Sequence, residues 1–320
     1  MNLSITNKTN NKKISAFKGG EIYVIIVCII HCLMLFFKWN YFLNPVLILF
    51  YILGIISFVL IITYFGEHFK QIKWVPIVRL ILLALAVYMV YLNTQNLLSI
   101  VNPHIYDDIL IKWDIAIFGK DPTQYFDPIR NPLLTEIMQL TYVSFYFLPM
   151  IHGVILYRDN KNWELNELYN QIIFGFLLSY LLYFIMPAIG PRFTLFDFAT
   201  LDSEMPGILF TDAARAFVNV GGGVPPGTIN PAEIVSRDCM PSGHTMLTLI
   251  NMLLVYKYKT KFKWFFYLVG GCLILSTLYL RYHYGIDVIA GIIFAIISIY
   301  IEPKFRNILI KSKLINNSIL

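Results

Sequence analysis

Charge is scarce in this chain: Asp, Glu, Lys and Arg make up 14% of its 320 residues, against about 25% in soluble domains. With 58% hydrophobic residues and a mean hydropathy of +0.65, that shortage excludes a water-soluble globule. Cysteine is scarce too. The four present, Cys28, Cys32, Cys239 and Cys272, form neither a disulfide framework nor a zinc-binding spacing. Cys28 and Cys32 lie one helical turn apart in an apolar run and read as small packing residues. Also missing are the alternating ten-residue segments of a membrane barrel, any internal repeat, and a small-residue cleavage site after the first apolar run. No basic face or aromatic-interleaved motif marks a nucleic-acid partner.

What the chain has in quantity is apolar runs near the roughly 20 residues that cross a bilayer as a helix. Eight stand out: Ile22–Phe37, Leu43–Phe65, Val75–Leu92, Leu133–Leu156, Ile172–Ile189, His244–Tyr256, Phe265–Tyr284 and Ile286–Ile301. They predict an all-α, polytopic membrane helical bundle of about eight transmembrane helices. Its membrane domain spans residues 21–303, after a disordered N-terminal stretch (1–20) and before a basic tail (304–320). Most of the 25 Lys and Arg, including Lys257, Lys259, Lys261 and Lys263, fall on one side if the spans alternate. The Lys/Arg bias therefore predicts a multi-pass integral membrane protein with both termini cytoplasmic.

Two long connections, residues 93–132 and 190–241, are then extracytoplasmic. The first carries Asp107–Gly119, whose near-helical apolar spacing predicts a short interfacial helix. Its Asp107, Asp108 and Asp114 read as a solvated polar face rather than as metal ligands. The second carries Gly221-Gly222-Gly223-Val-Pro-Pro-Gly227, which reads equally as a lid and as a surface loop.

Three polar residues at the membrane edge carry chemistry. His244 opens the sixth run, His283 ends the seventh and Asp287 begins the eighth, all on the side of the long loops. Pro241 and Ser242 are helix-start residues, with Ser242 a natural N-cap, and the first-turn N–H groups beyond it can bind phosphate. His283 and Asp287 are four apart, on one face if the helix is continuous. An Asp bonded to one ring nitrogen leaves the other free to attack or to take a proton. His31 and His152, alone in their runs, read as buried and satisfied.

Met240-Pro-Ser-Gly-His244-Thr, followed by Tyr279-Leu-Arg-Tyr-His283-Tyr-Gly-Ile-Asp287-Val-Ile-Ala-Gly, resembles the second and third signatures of the type-2 phosphatidic acid phosphatase superfamily. Pro187-Ala-Ile-Gly-Pro-Arg192 resembles a remnant of the first. The upstream half, with Asp107–Gly119 before a span containing Tyr142 and Tyr146, resembles the branch that includes inositol phosphorylceramide synthases. The resemblance implies a six-helix catalytic core at roughly 133–303 and phosphoryl transfer through a covalent phosphohistidine, with no metal and no cofactor. His283 would be the nucleophile, Asp287 its orienting group and His244 the general acid. Ser242, the Gly243 N–H and Arg192 would hold phosphate oxygens.

Two positions depart from the pattern. A lysine expected seven residues before Arg192 is Ile185, and an arginine expected six before His283 is Thr277. Arg281, Arg237 and Arg215 are the candidate substitutes. The expected function is a membrane-embedded lipid phosphate phosphatase, a hydrolase working at the extracytoplasmic face on a lipid phosphate or phospholipid among membrane lipids. The alternative is a phospholipid-dependent phosphotransferase with an alcohol acceptor. An inactive lipid-binding relative and a transporter are lesser readings; transporter sites usually lie at the midplane between repeated halves.

Overall fold

The computed structural model describes residues 16–316, and every structural statement concerns those residues. The chain is all-α: α1 (Gly19–Phe37), α2 (Pro45–His68), α3 (Val75–Val101), α4 (Asp107–Phe118), α5 (Pro132–Val143), α6 (Leu148–Arg158) and α7 (Asn162–Leu182) form the first half. Four short helices cross the second long loop: α8 (Pro191–Thr194), α9 (Leu201–Glu204), α10 (Thr211–Gly221) and α11 (Pro231–Ile234). Then come α12 (Gly243–Lys257), α13 (Lys263–Tyr279) and α14 (Gly285–Lys311). No strand occurs among the described residues; one isolated bridge joins Ala188 to Asp238.

Each of the eight expected runs has a helix, with instructive differences. Four, α1, α2, α3 and α14, are long and apolar enough to cross a membrane. The fourth run is a pair, α5 and α6, bent by 55° at the turn Ser144–Tyr146, where Pro149 in the first turn of α6 cannot continue the preceding ladder. The fifth run is displaced. Its helix is α7, which ends at Leu182 because Pro187 and Gly190 follow, and the last expected residues belong to the site loop. α12 and α13 are shorter, at 15 and 17 residues.

Two hydrophobic clusters share α7. Val24, Ile52, Leu83 and Leu177 pack α1, α2 and α3 against it; Leu168, Leu247, Phe266 and Ala295 join α7 to α12, α13 and α14. Outward residues such as Phe50 and Leu268 are apolar and exposed, as a lipid-facing surface requires. Buried His31 meets Asn93 and Thr94, and buried His152 meets Asn251 and Thr260, so both are satisfied. Cys28 packs in the first cluster.

The expected ends need correction. Residues 1–15 of the expected disordered segment lie outside the described residues, but Gly19 and Gly20 already belong to α1. The Gly20 N–H is bonded to Asn170 at 3.0 Å, and a Cβ there would meet Ile173 at 2.8 Å. At the other end α14 runs on to Lys311, because Arg306 is buried and pairs with Glu167 and Glu302.

Candidate active site

α12 begins where the sequence places it. The Ser242 hydroxyl accepts the Thr245 N–H at 3.2 Å, the cap that favours Ser at this position. The N–H groups of Gly243 and His244 donate to no described residue, which leaves the positive end of the helix open. The His244 ring lies between Tyr142, 4.2 Å away and nearly parallel, and Phe145 at 4.3 Å. The His283 ring is 5.9 Å from it. A phosphoryl group on one ring is therefore within reach of the other.

His283 does not continue a helix. α13 stops at Tyr279, Arg281 takes a left-handed φ of 60°, and the N–H groups of Tyr282 and His283 both return to the Thr277 carbonyl. The expected shared helical face of His283 and Asp287 is replaced by a corner: His283 precedes the N-cap Tyr284, and Asp287 is the third residue of α14. His283 Nδ1 lies 3.0 Å from the Cys239 carbonyl oxygen. A carbonyl only accepts, so Nδ1 carries a proton, and in the neutral ring the lone pair is then on Nε2.

Asp287 Oδ2 is 3.5 Å from Nδ1 and accepts more closely from the Cys239 thiol and the Tyr284 N–H, both at 2.9 Å. Burial pushes the Cys239 thiol well above its ordinary range, so it keeps the proton it donates. Cys239, His283 and Asp287 have donor atoms within 4.8 Å of one another. Among the described residues this is the one grouping that could hold a metal ion, and a cation there would displace the hydrogen bonds that orient the histidine.

Asp107 and Asp114 do not form the expected solvated face; only Asp108 is exposed. Asp107 is buried and accepts from the N–H groups of Ile189 and Gly190, at 3.0 and 2.8 Å, and from the Tyr284 hydroxyl at 2.7 Å. Asp114, also buried, accepts from the N–H groups of Gly285 and Ile286, both at 2.7 Å. The two are seven apart, about two helical turns, so α4 presents them on one face to the start of α14. Burial raises both carboxyls, Asp114 to about 6, against the lowering effect of those N–H bonds.

The cations divide sharply. Arg192, on α8, is buried with its guanidinium 4.6 Å from the Tyr282 ring, and it donates to Asn219 at 2.7 Å. No carboxylate of the described residues lies within 4.0 Å of it. Arg281 is turned away by its left-handed backbone and pairs with Glu204 and, at 3.8 Å, with Asp127, over the Phe196 ring. Arg215 pairs with Asp202. Arg237 donates to the Pro103 carbonyl at 3.2 Å, so the structure does not bring its side chain to the histidines. Ile185 is 63% exposed, and Thr277 is buried with its hydroxyl on the Ile274 carbonyl; neither offers a free polar group.

The glycine-rich segment lies against the site. A Cβ on Gly222 would sit 3.6 Å from Arg192, and Glu136 anchors the segment before α10 by accepting four backbone N–H groups, from Ile208 to Thr211. Close approach also explains Gly291, where a Cβ would meet the Ser242 carbonyl at 2.8 Å. Sequence reasoning passed over Cys239, Asp238 and the bonded roles of Asp107 and Asp114; the seven-residue spacing was the available signal for the last two.

The sequence profile of the PAP2 superfamily matches residues 126–301. A PA-phosphatase related-family protein of Dictyostelium discoideum is 25% identical over 233 residues, covering 64% of this chain. The chain spans 40% of that relative's length. No solved structure matches.

Proposed function

The chain belongs to the PAP2 superfamily, and on that premise we propose that this phosphatase-type membrane protein removes the phosphoryl group from a lipid phosphate through a phosphohistidine on His283, at the extracytoplasmic face. One observation carries the reading: the rings of His283 and His244 lie with their centroids 5.9 Å apart, beside a helix N-terminus whose first two N–H groups have no partner among the described residues. The His283 Nε2 lone pair attacks phosphorus, the P–O bond breaks, and the leaving lipid oxygen takes a proton from His244. Water then attacks phosphorus, His244 takes its proton, and the P–N electron pair returns to His283.

Fixed charge does the rest. The first-turn N–H groups of Gly243 and His244 and the unpaired guanidinium of Arg192 stabilise the phosphoryl oxygens in a partly desolvated site. Asp287 and the Cys239 carbonyl fix the tautomer. Because arginine and backbone N–H supply the positive charge, the chemistry needs no metal.

Purified full-length protein in mixed micelles with phosphatidic acid tests this. Phosphate release should persist in excess chelator and disappear in His283→Ala. Release that survives His283→Ala, or that stops on chelation, contradicts the proposal.

A further inference from the structure

The Cys239 thiol stands beside the nucleophile, and the phosphoryl transfer does not use it. The Cys239 carbonyl already accepts the Nδ1–H of His283, and Asp287 already accepts the Tyr284 N–H. Yet the thiol sulfur lies 2.9 Å from Asp287 Oδ2 and 3.5 Å from His283 Nδ1, with 3.5 Å between those two. All three side chains are buried.

Those atoms form the triangle that a tetrahedral metal needs. Zinc binds nitrogen and oxygen at about 2.0–2.1 Å and thiolate at about 2.3 Å, which separates neighbouring ligand atoms by roughly 3.3–3.6 Å. Two edges already fit, and the third has to open by about half an ångström. Sulfur decides the class of ion. A thiolate with an imidazole and a single carboxylate suits zinc-like cations, whereas magnesium and calcium demand shells of oxygen.

A second observation points to a cation. Oδ1, the other oxygen of Asp287, is buried and has no hydrogen-bond partner among the described residues. A carboxylate held out of water with one oxygen unsatisfied is costly, and a cation bound at that carboxylate offsets the cost. The neighbourhood adds negative charge. Asp238 precedes Cys239 in the sequence. Asp107 accepts the N–H of Gly190 at 2.8 Å, and Gly190 is so close to the thiol that a Cβ on it would be 3.1 Å from the sulfur. Leu110, Ala188 and Tyr284 form an apolar cluster with Cys239, the kind of shell that limits water around a metal.

We propose that Cys239, His283 and Asp287 form a binding site for a zinc-like divalent cation, and that its occupation switches the nucleophile off. The switching half rests on the phosphohistidine reading. Coordination forms bonds from the cation to Sγ, Nδ1 and a carboxylate oxygen, and the thiol proton is released to water. The metal takes the Nδ1 electron pair, so the proton of the neutral ring moves from Nδ1 to Nε2. Nε2 then has no lone pair with which to attack phosphorus. One proton leaves per cation bound, and removing the cation restores the active tautomer.

The test uses full-length protein in mixed micelles, incubated with the metal before phosphatidic acid is added because the site is buried. Zinc should inhibit phosphate release and phosphorylation of His283, with recovery in chelator, and magnesium and calcium should not. Cobalt in place of zinc should give the near-ultraviolet charge-transfer band of a thiolate ligand, lost in Cys239→Ser and kept in Cys32→Ser. Cys239→Ser should raise the half-inhibitory zinc concentration by at least about tenfold, each protein being compared with its own metal-free rate. Zinc-edge X-ray absorption on the wild-type protein needs no variant, and should find one sulfur among nitrogen and oxygen neighbours. A metal shell without sulfur overturns the site, as does zinc inhibition that Cys239→Ser leaves unmoved. Phosphorylation of His283 that proceeds with the sulfur-ligated metal in place overturns the switch. If the metal-free protein never phosphorylates His283, the phosphohistidine reading falls and the switch with it, while the sulfur signal still decides the site.

Discussion

The first turns of α12 and α14 lie side by side, tied by the Ser242 N–H bond to the Asp287 carbonyl at 3.1 Å, yet one is open and the other is filled. At α14 the N–H groups of Tyr284, Gly285 and Ile286 are taken by Asp287 and Asp114. At α12 the Ser242 hydroxyl takes the N–H of Thr245, and those of Gly243 and His244 stay free. Both helices offer an anion the same positive end. Only α12 leaves first-turn N–H groups without a partner among the described residues, and the carboxylates at α14 would repel a phosphate there. The difference teaches that the start of α14 is internally satisfied and holds the corner that presents His283, while under the proposed function the start of α12 is the end left to meet the phosphate.

The sharpest way to break this comparison is to remove one histidine at a time. His283→Ala should abolish both turnover and any covalent intermediate. His244→Ala should slow turnover by about 10²–10⁴-fold, the usual worth of a general acid, while still allowing slow labelling of His283. Equal total loss in both, by phosphate release and labelling, would put the two histidines in one role.

Next come the cations. Arg192→Ala should cost about 10²–10³-fold in kcat/KM, as loss of a transition-state donor does. Arg281→Ala should cost less than tenfold, because Glu204 and Asp127 already neutralise that charge and little field remains for substrate. Steady-state kinetics on both variants decides it, and the reverse order would move the phosphate clamp to Arg281.

A smaller effect tests the filled helix. The Asp114 carboxyl is raised from 3.8 to about 6 by burial, so the folded protein holds this proton more tightly than the unfolded chain. The stability it contributes is full below the ordinary carboxylate value and is lost as pH rises through about 6. Asp114→Asn should flatten the fall in melting temperature between those pH values, measured on protein in detergent. An unchanged slope would remove Asp114 as its source. Smallest of all, Ser242→Ala should lower stability by about 1 kcal/mol for the lost cap, read from the same melting curves.

Legibility followed locality. The apolar runs announced the helices because a bilayer demands length and apolarity from each span on its own, and Ser242 announced the start of α12 because a cap is a contact over three residues. The corner at His283 was not legible: a spacing of four fits a helical turn, and nothing local says that the chain breaks at Tyr279 and turns at Arg281. Asp107 and Asp114 were misread for a related reason. Acidic residues on a short amphipathic helix look solvated until the partner N–H groups, more than 80 residues away for Asp107 and 170 for Asp114, are known. The arginines failed similarly, since which of them stays unpaired depends on Glu204, Asp127 and Asp202 folding back from distant loops.

The central claim is that phosphate passes through His283. Labelled lipid phosphate, rapid quenching in alkali and mapping of the labelled peptide test it most directly. The account predicts an alkali-stable, acid-labile label on His283 that builds up when His244 is replaced by Ala. An acid-stable label on a hydroxyl or carboxyl group, or a label that persists in His283→Ala, would contradict it.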